Sequence, residues 1–164
     1  MLSYAKQLQR IADDYRKTGQ KWPATAHDIA GWAIQERRWQ PSRSDMISQC
    51  ADQIARAMRE EYIIDPQGRK VRAKHVATEQ RDGGQVALWD DIRTADRQHM
   101  TLAFQQRRQQ IVGDCRQLKT DVDSYNENGN NGIPIQIVLD FTEDVAELEA
   151  LEEREVAPTL LVMV

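Results

Sequence analysis

Side chains whose chemistry suits a polyanion concentrate between Ser42 and His75. Arg43, Ser48, Gln49 and Gln53 share the polar side of a helical pattern, and guanidinium, hydroxyl and amide groups can read base edges in a groove. Arg56, Arg69, Lys70, Arg72 and Lys74 add the positive charge that phosphates attract. An ordinary solvated helix presents the same polar side, and cations on an exposed strand also guard an edge against pairing.

Other chemistries find less support. His27, His75 and His99 are scattered, and His27 near a helix start suits a surface or hydrogen-bonded histidine. Asp90-Asp91 stands beside Arg93 with no histidine cluster, which fits a turn or helix start better than an acid–base pair. Gly132 is not followed by the lysine and hydroxyl residue of a phosphate loop. No nucleophile has an identifiable helper and no metal spacing appears, so neither an enzyme nor a cofactor is expected.

The elements that position the cationic stretch begin with its helix. Met46, Ile47, Cys50, Ala51, Ile54, Ala55 and Met58 recur at spacings of three and four and define one apolar face. Ser42 or Ser44 can cap the first turn, and Asp45 suits the helix dipole. Tyr62-Ile63-Ile64, a turn at Asp65-Pro66-Gln67-Gly68, and an alternating run from Lys70 to Val76 predict a hairpin. Val71, Ala73 and His75 fall on one face of it, and Lys70, Arg72 and Lys74 on the other, with Arg69 at the tip.

Upstream, Leu2, Leu8, Ile11, Ala12 and Tyr15 mark a helix from about Ser3 to Lys17, closed by Gly19. Thr25 can cap a second helix whose stripe is Ile29, Ala30, Ala33 and Ile34, with Trp32 beside it. Three helices followed by a hairpin resemble winged helix-turn-helix DNA-binding domains over residues 3–76, by element order. That resemblance implies that the helix from Ser42 enters the major groove and that Arg69, Lys70 and Arg72 form a wing on the backbone or minor groove.

Downstream, residues 78–85 read as a polar link turning at Gly83-Gly84, and Gln85 to Trp89 as a short strand able to pair with the hairpin. A long helix spans about 94–126, with Phe104, Ile111, Leu118 and Tyr125 recurring every seven residues and Cys115 and Val122 four after Ile111 and Leu118. A seven-residue apolar repeat is a helix-pairing seam, although Arg108 interrupts it and Gly113 weakens the helix. Pairing with a second copy is preferred to pairing with the first helix, since a two-fold protein suits two half-sites. An asparagine- and glycine-rich loop (126–132), a strand (133–141), an acidic helix capped by Thr142 and running to Glu153, and an apolar strand-like tail (157–164) docked on a sheet edge complete the chain.

The expected class is α+β: a winged-helix-like domain (1–92), a long helix with a coiled-coil seam (93–128) and a C-terminal segment (129–164). The net charge of −4 hides an asymmetry, because residues 37–75 carry nine Lys or Arg against five acids and residues 76–164 carry eight against seventeen. Cys50 and Cys115 are isolated, no apolar run is long enough to span a bilayer, and no signal-peptide pattern is legible at Met1. A reducing cytoplasm and no membrane association are therefore expected. The function expected is DNA binding by a homodimer that serves as a regulator or a recognition subunit. The competing reading is an adaptor that docks proteins through its acidic helix and apolar tail.

Overall fold

A computed structural model describes residues 3–161, with side chains to residue 155. The chain is α+β, mainly helical, with two separate two-stranded antiparallel sheets and one long helix. It divides between Ala73 and Lys74 into two units.

In the first unit, α1 (Tyr4–Lys17) is capped by Ser3, whose hydroxyl accepts the Lys6 N–H at 3.3 Å. Gly19, at φ +80°, takes the chain out of it, a conformation that strains residues with a Cβ. Thr25 and Asp28 form a capping box at the start of α2 (Ala26–Gln35). Ser42 and Asp45 form another at the start of α3 (Arg43–Arg59), so Ser42 rather than Ser44 is the cap. The α1–α2 contact is built on Tyr15, which meets Trp32 edge to face at 5.5 Å, and on buried Ala33. Ile34, expected in the buried stripe, is 57% exposed, and Ala30 is exposed as well.

The larger departure concerns α3. Met46, Ile47 and Ile54 are 55, 64 and 52% exposed, Cys50 is exposed, and no α3 residue is buried. Helical periodicity reports which side of a helix is apolar, not whether another element covers it.

The first hairpin forms as expected, with β1 (Tyr62–Ile64) antiparallel to β2 (Lys70–Arg72) and Ile63 opposite Val71. Asp65 accepts the Gly68 N–H on its carbonyl at 2.9 Å, and Gly68 sits at φ +83°.

The expected strand from Lys70 to Val76 breaks at Ala73. Lys74 begins β3 (Lys74–Arg81), which pairs with β4 (Gly84–Asp91) from Lys74 opposite Asp91 to Arg81 opposite Gly84. Residues 78–81 are thus strand rather than link. The turn is the two residues Asp82 and Gly83, both at positive φ (35° and 84°), as the tightest hairpins need. The second hairpin belongs to the unit that runs from Lys74 onward, where the expected first domain extended to residue 92.

In that second unit the hairpin leads to α4 (Arg97–Asn128), capped by Asp96 and continuous through Gly113. Its first turns pack on β3 through small residues, with Ala77 and Ala103 buried and His75 edge-on to Phe104 at 5.3 Å. Gln106 donates to the Thr78 carbonyl at 2.8 Å and accepts the Thr78 N–H at 2.7 Å, so one side-chain amide satisfies both backbone groups. The His99 Nε2 lies 2.9 Å from the His75 carbonyl oxygen, which can only accept, so that nitrogen carries the proton.

After α4, the Asn126 side chain pairs with both backbone groups of Ile135, at 2.8 and 2.9 Å. Residues 133–141 form no strand, and Ile133 and Val138 are 91 and 78% exposed. An alternating segment becomes a strand only when an edge takes up its backbone groups. The acidic helix α5 (Thr142–Leu161) starts where expected, with the Asp140 carboxylate accepting the N–H and hydroxyl of Thr142. It continues past Glu153, so residues 157–161 are helix rather than strand; a short apolar run does not distinguish the two by periodicity. Leu2 and residues 162–164, expected in the first helix and in a docked tail, lie outside the described residues.

Candidate nucleic-acid interface

Helix α3 and the first hairpin belong to one unit and are separated only by Glu60 and Glu61. The Ser42–Asp45 capping box fixes the start of α3. Ser42 donates its N–H and hydroxyl to the Asp45 carboxylate at 3.0 and 2.6 Å, which holds that carboxyl below the usual range. Along the helix, Arg43, Ser48, Gln49, Gln53 and Arg56 are all exposed. Each is accessible to a ligand, and so are the apolar residues between them.

The hairpin tip is organised by Asp65. Its carboxylate accepts the Arg69 N–H at 2.8 Å, the Arg69 Nε at 2.7 Å and the Gln67 N–H at 3.0 Å. The backbone bond from Arg69 comes first among the causes that lower the Asp65 pKa. The Arg69 side chain nevertheless stays 71% exposed, with part of its guanidinium still able to meet a second anion. Lys70 lies over the Tyr62 ring, 4.7 Å from its centroid, a contact that steers the ammonium without neutralising it. Arg72 sits on β2 opposite Tyr62.

Lys74 is the remaining cation of the expected phosphate set. It stands on β3 in the second unit, with its Nζ 3.3 Å from the Asp91 carboxylate. Asp91 also takes Arg93 at 2.6 and 2.9 Å, and these bonds, Arg93 first, hold its pKa far below the usual carboxylate range. The Asp90-Asp91 pair is thus the end of a strand and the start of a turn, closed by the N–H groups of Thr94 and Ala95 on the Asp91 carbonyl. His75 and His99 serve packing and backbone bonding. Among the described residues, no three of His, Cys, Asp and Glu come together as a metal site.

Of the other cations in the first unit, two lie over aromatic rings: Arg16 over the half-exposed Trp22 ring at 5.4 Å, and Arg38 over Trp32 with an ion pair to Asp14 at 3.0 Å. Neither pairing follows a helical or strand period, so spacing carries no signal for it.

The division between units also sorts the charge. Residues 1–73 carry thirteen Lys or Arg against nine acids, about +4, and residues 74–164 carry nine against seventeen, about −8. Among the described residues, no helix is long and apolar enough to cross a membrane. No family model, curated protein or solved structure matches this chain.

Proposed function

We propose that the chain binds double-stranded DNA through its first unit, as a regulator or as the recognition part of a larger assembly. One observation carries the reading: an exposed helix bearing Arg43, Ser48, Gln49, Gln53 and Arg56 leads within two residues into a hairpin bearing Arg69, Lys70 and Arg72, in the positively charged unit. Helix α3 would read base edges and the hairpin would hold phosphates, as the likeness in element order to winged helix-turn-helix domains implies. The reducing cytoplasm is the compartment this reading favours, since Cys50 and Cys115 are both free thiols.

The test is fluorescence anisotropy of the full chain with a random-sequence duplex across a salt series. Replacing Arg69, Lys70 and Arg72 together with Ala should weaken binding to every sequence and reduce the log–log salt slope by about three. Unchanged affinity and slope would remove the hairpin from the interface.

A second reading is favoured by the apolar face of α3. Met46, Ile47 and Ile54, each more than half exposed, suit a protein partner better than a phosphate backbone. An adaptor of this kind would dock through α3 as well as through α5. Retention of a protein partner that Ile47→Asp abolishes, with no DNA binding even at low salt, would establish it.

A further inference from the structure

We infer that α4 is the seam of a parallel, in-register, two-stranded coiled coil with a second copy of this chain, in which Cys115 faces Cys115 of the partner. The inference does not depend on the DNA reading.

Phe104, Ile111, Leu118 and Tyr125 are 49, 51, 48 and 52% exposed, a uniform apolar row along one side of a continuous 32-residue helix. In heptad terms they occupy the d positions. Arg108, Cys115 and Val122, four residues on from the first three, are the a positions. Cys115 and Val122 are half-buried in the isolated chain. Gly113 falls on the outer side of the heptad, and a Cβ there would meet nothing within 4 Å, so it does not interrupt the seam.

The flanking charges favour one orientation. In a parallel in-register pair, a g residue meets the e residue five further along the partner. Asp114 then faces Lys119 of the partner, twice over by symmetry. Lys119 also bridges Asp123 on its own helix at 2.6 Å and remains 61% exposed, so its ammonium can be shared. Of the two antiparallel registers that keep most of the row matched in a–d layers, one sets Asp114 against Asp114 of the partner beside two Arg107–Asp121 contacts of opposite charge, and the other sets Asp114 against Asp121 twice, so like charges meet in both, whereas none meet on the flanks of the parallel pair.

Arg108 is the one seam position that disfavours the parallel pair, since it meets its own copy. Its aliphatic stem can line the seam while the guanidinium turns to water. A polar residue at a single a position fixes register while weakening the pair. Orientation is read directly at Cys115, because only the parallel arrangement brings the two thiols together; the antiparallel registers place Cys115 against Ile111 or Leu118.

The full chain should sediment as a dimer at micromolar concentration. Diamide, by taking two electrons and two protons from the paired thiols, should convert it to a disulfide-linked dimer on a non-reducing gel. That product should survive Cys50→Ser and vanish in Cys115→Ser, which should still dimerise. Leu118→Glu should weaken dimerisation at least tenfold with unchanged helical circular dichroism, because Leu118 is half exposed within one chain, whereas Arg108→Leu should tighten it. A monomer at all concentrations would overturn the inference, as would a dimer whose cross-link runs through Cys50 or fails to form at Cys115.

Discussion

At the scale of single residues, Gln106 and Asp91 hold the second unit together by satisfying groups that cannot satisfy themselves. Gln106 bonds both the N–H and the carbonyl of part-buried Thr78. In Gln106→Ala both would lose that partner, and leaving a part-buried donor and acceptor unmet should lower stability by about 1–3 kcal/mol in urea unfolding. Asp91 is different, because its contribution depends on charge. Its folded-state pKa is depressed, chiefly by the Arg93 side chain, so its stabilising effect is present above the unfolded carboxylate pKa and is lost as pH falls. Asp91→Asn should therefore melt below the parent at pH 7, and the gap should begin to narrow as pH drops below about 3.9 and close only as pH falls through the strongly depressed folded-state value. A gap that does not narrow at all between about pH 5 and pH 2 would mean that packing, not the ion pairs, accounts for the residue.

At the scale of elements, the legible features are those whose causes lie within a few residues. Ser3, Thr25, Ser42 and Asp96 each accept a backbone N–H three residues ahead, so a short stretch of sequence is enough to place a helix start. The Asp65 to Gly68 turn is legible for the same reason. The second hairpin is harder, because Gly83-Gly84 looks like the turn, whereas Asp82-Gly83 supplies the two positive-φ residues and Gly84 already belongs to β4. The cationic hairpin and α3 can be read from spacing, but the exposure of Ile47 and Ile54 cannot. Helix α4 offers a clean test of intrinsic propensity: Gly113 lies mid-helix with open space where a Cβ would go. Gly113→Ala should raise stability by about 0.5–1 kcal/mol through reduced backbone freedom in the unfolded chain, read as a higher melting temperature. A fall would show that Gly113 meets a partner helix after all.

At the scale of the whole molecule, burial is sparse and local. Among the described residues, the buried apolar side chains are Tyr15, Ala33, Ala73, Ala77 and Ala103, four of them alanines, while large apolar groups on α3, α4 and α5 stay half exposed. Stability should therefore be uneven. Amide hydrogen exchange should be slowest in β3, β4 and the first three turns of α4, faster in α3, and fastest in residues 133–141, whose backbone joins no ladder. In Leu118→Glu the second half of α4 should exchange faster than in the parent if the inferred second copy is what covers it. Equal rates across all of α4 in both proteins would contradict that expectation.

The sequence by itself determined where helices start, the first turn, the heptad row of α4 and the separation of charge, because each depends on neighbours a few residues apart or on composition. Only the tertiary structure decided that β3 leaves the first hairpin to pair with β4, that α4 is fixed by Gln106 and Phe104 to residues 28 and 29 positions earlier, and that the apolar face of α3 goes uncovered. Those outcomes are contests between distant surfaces for the same backbone groups and the same apolar area. A local pattern states what a surface can bury, and the other surfaces within reach decide whether it is buried.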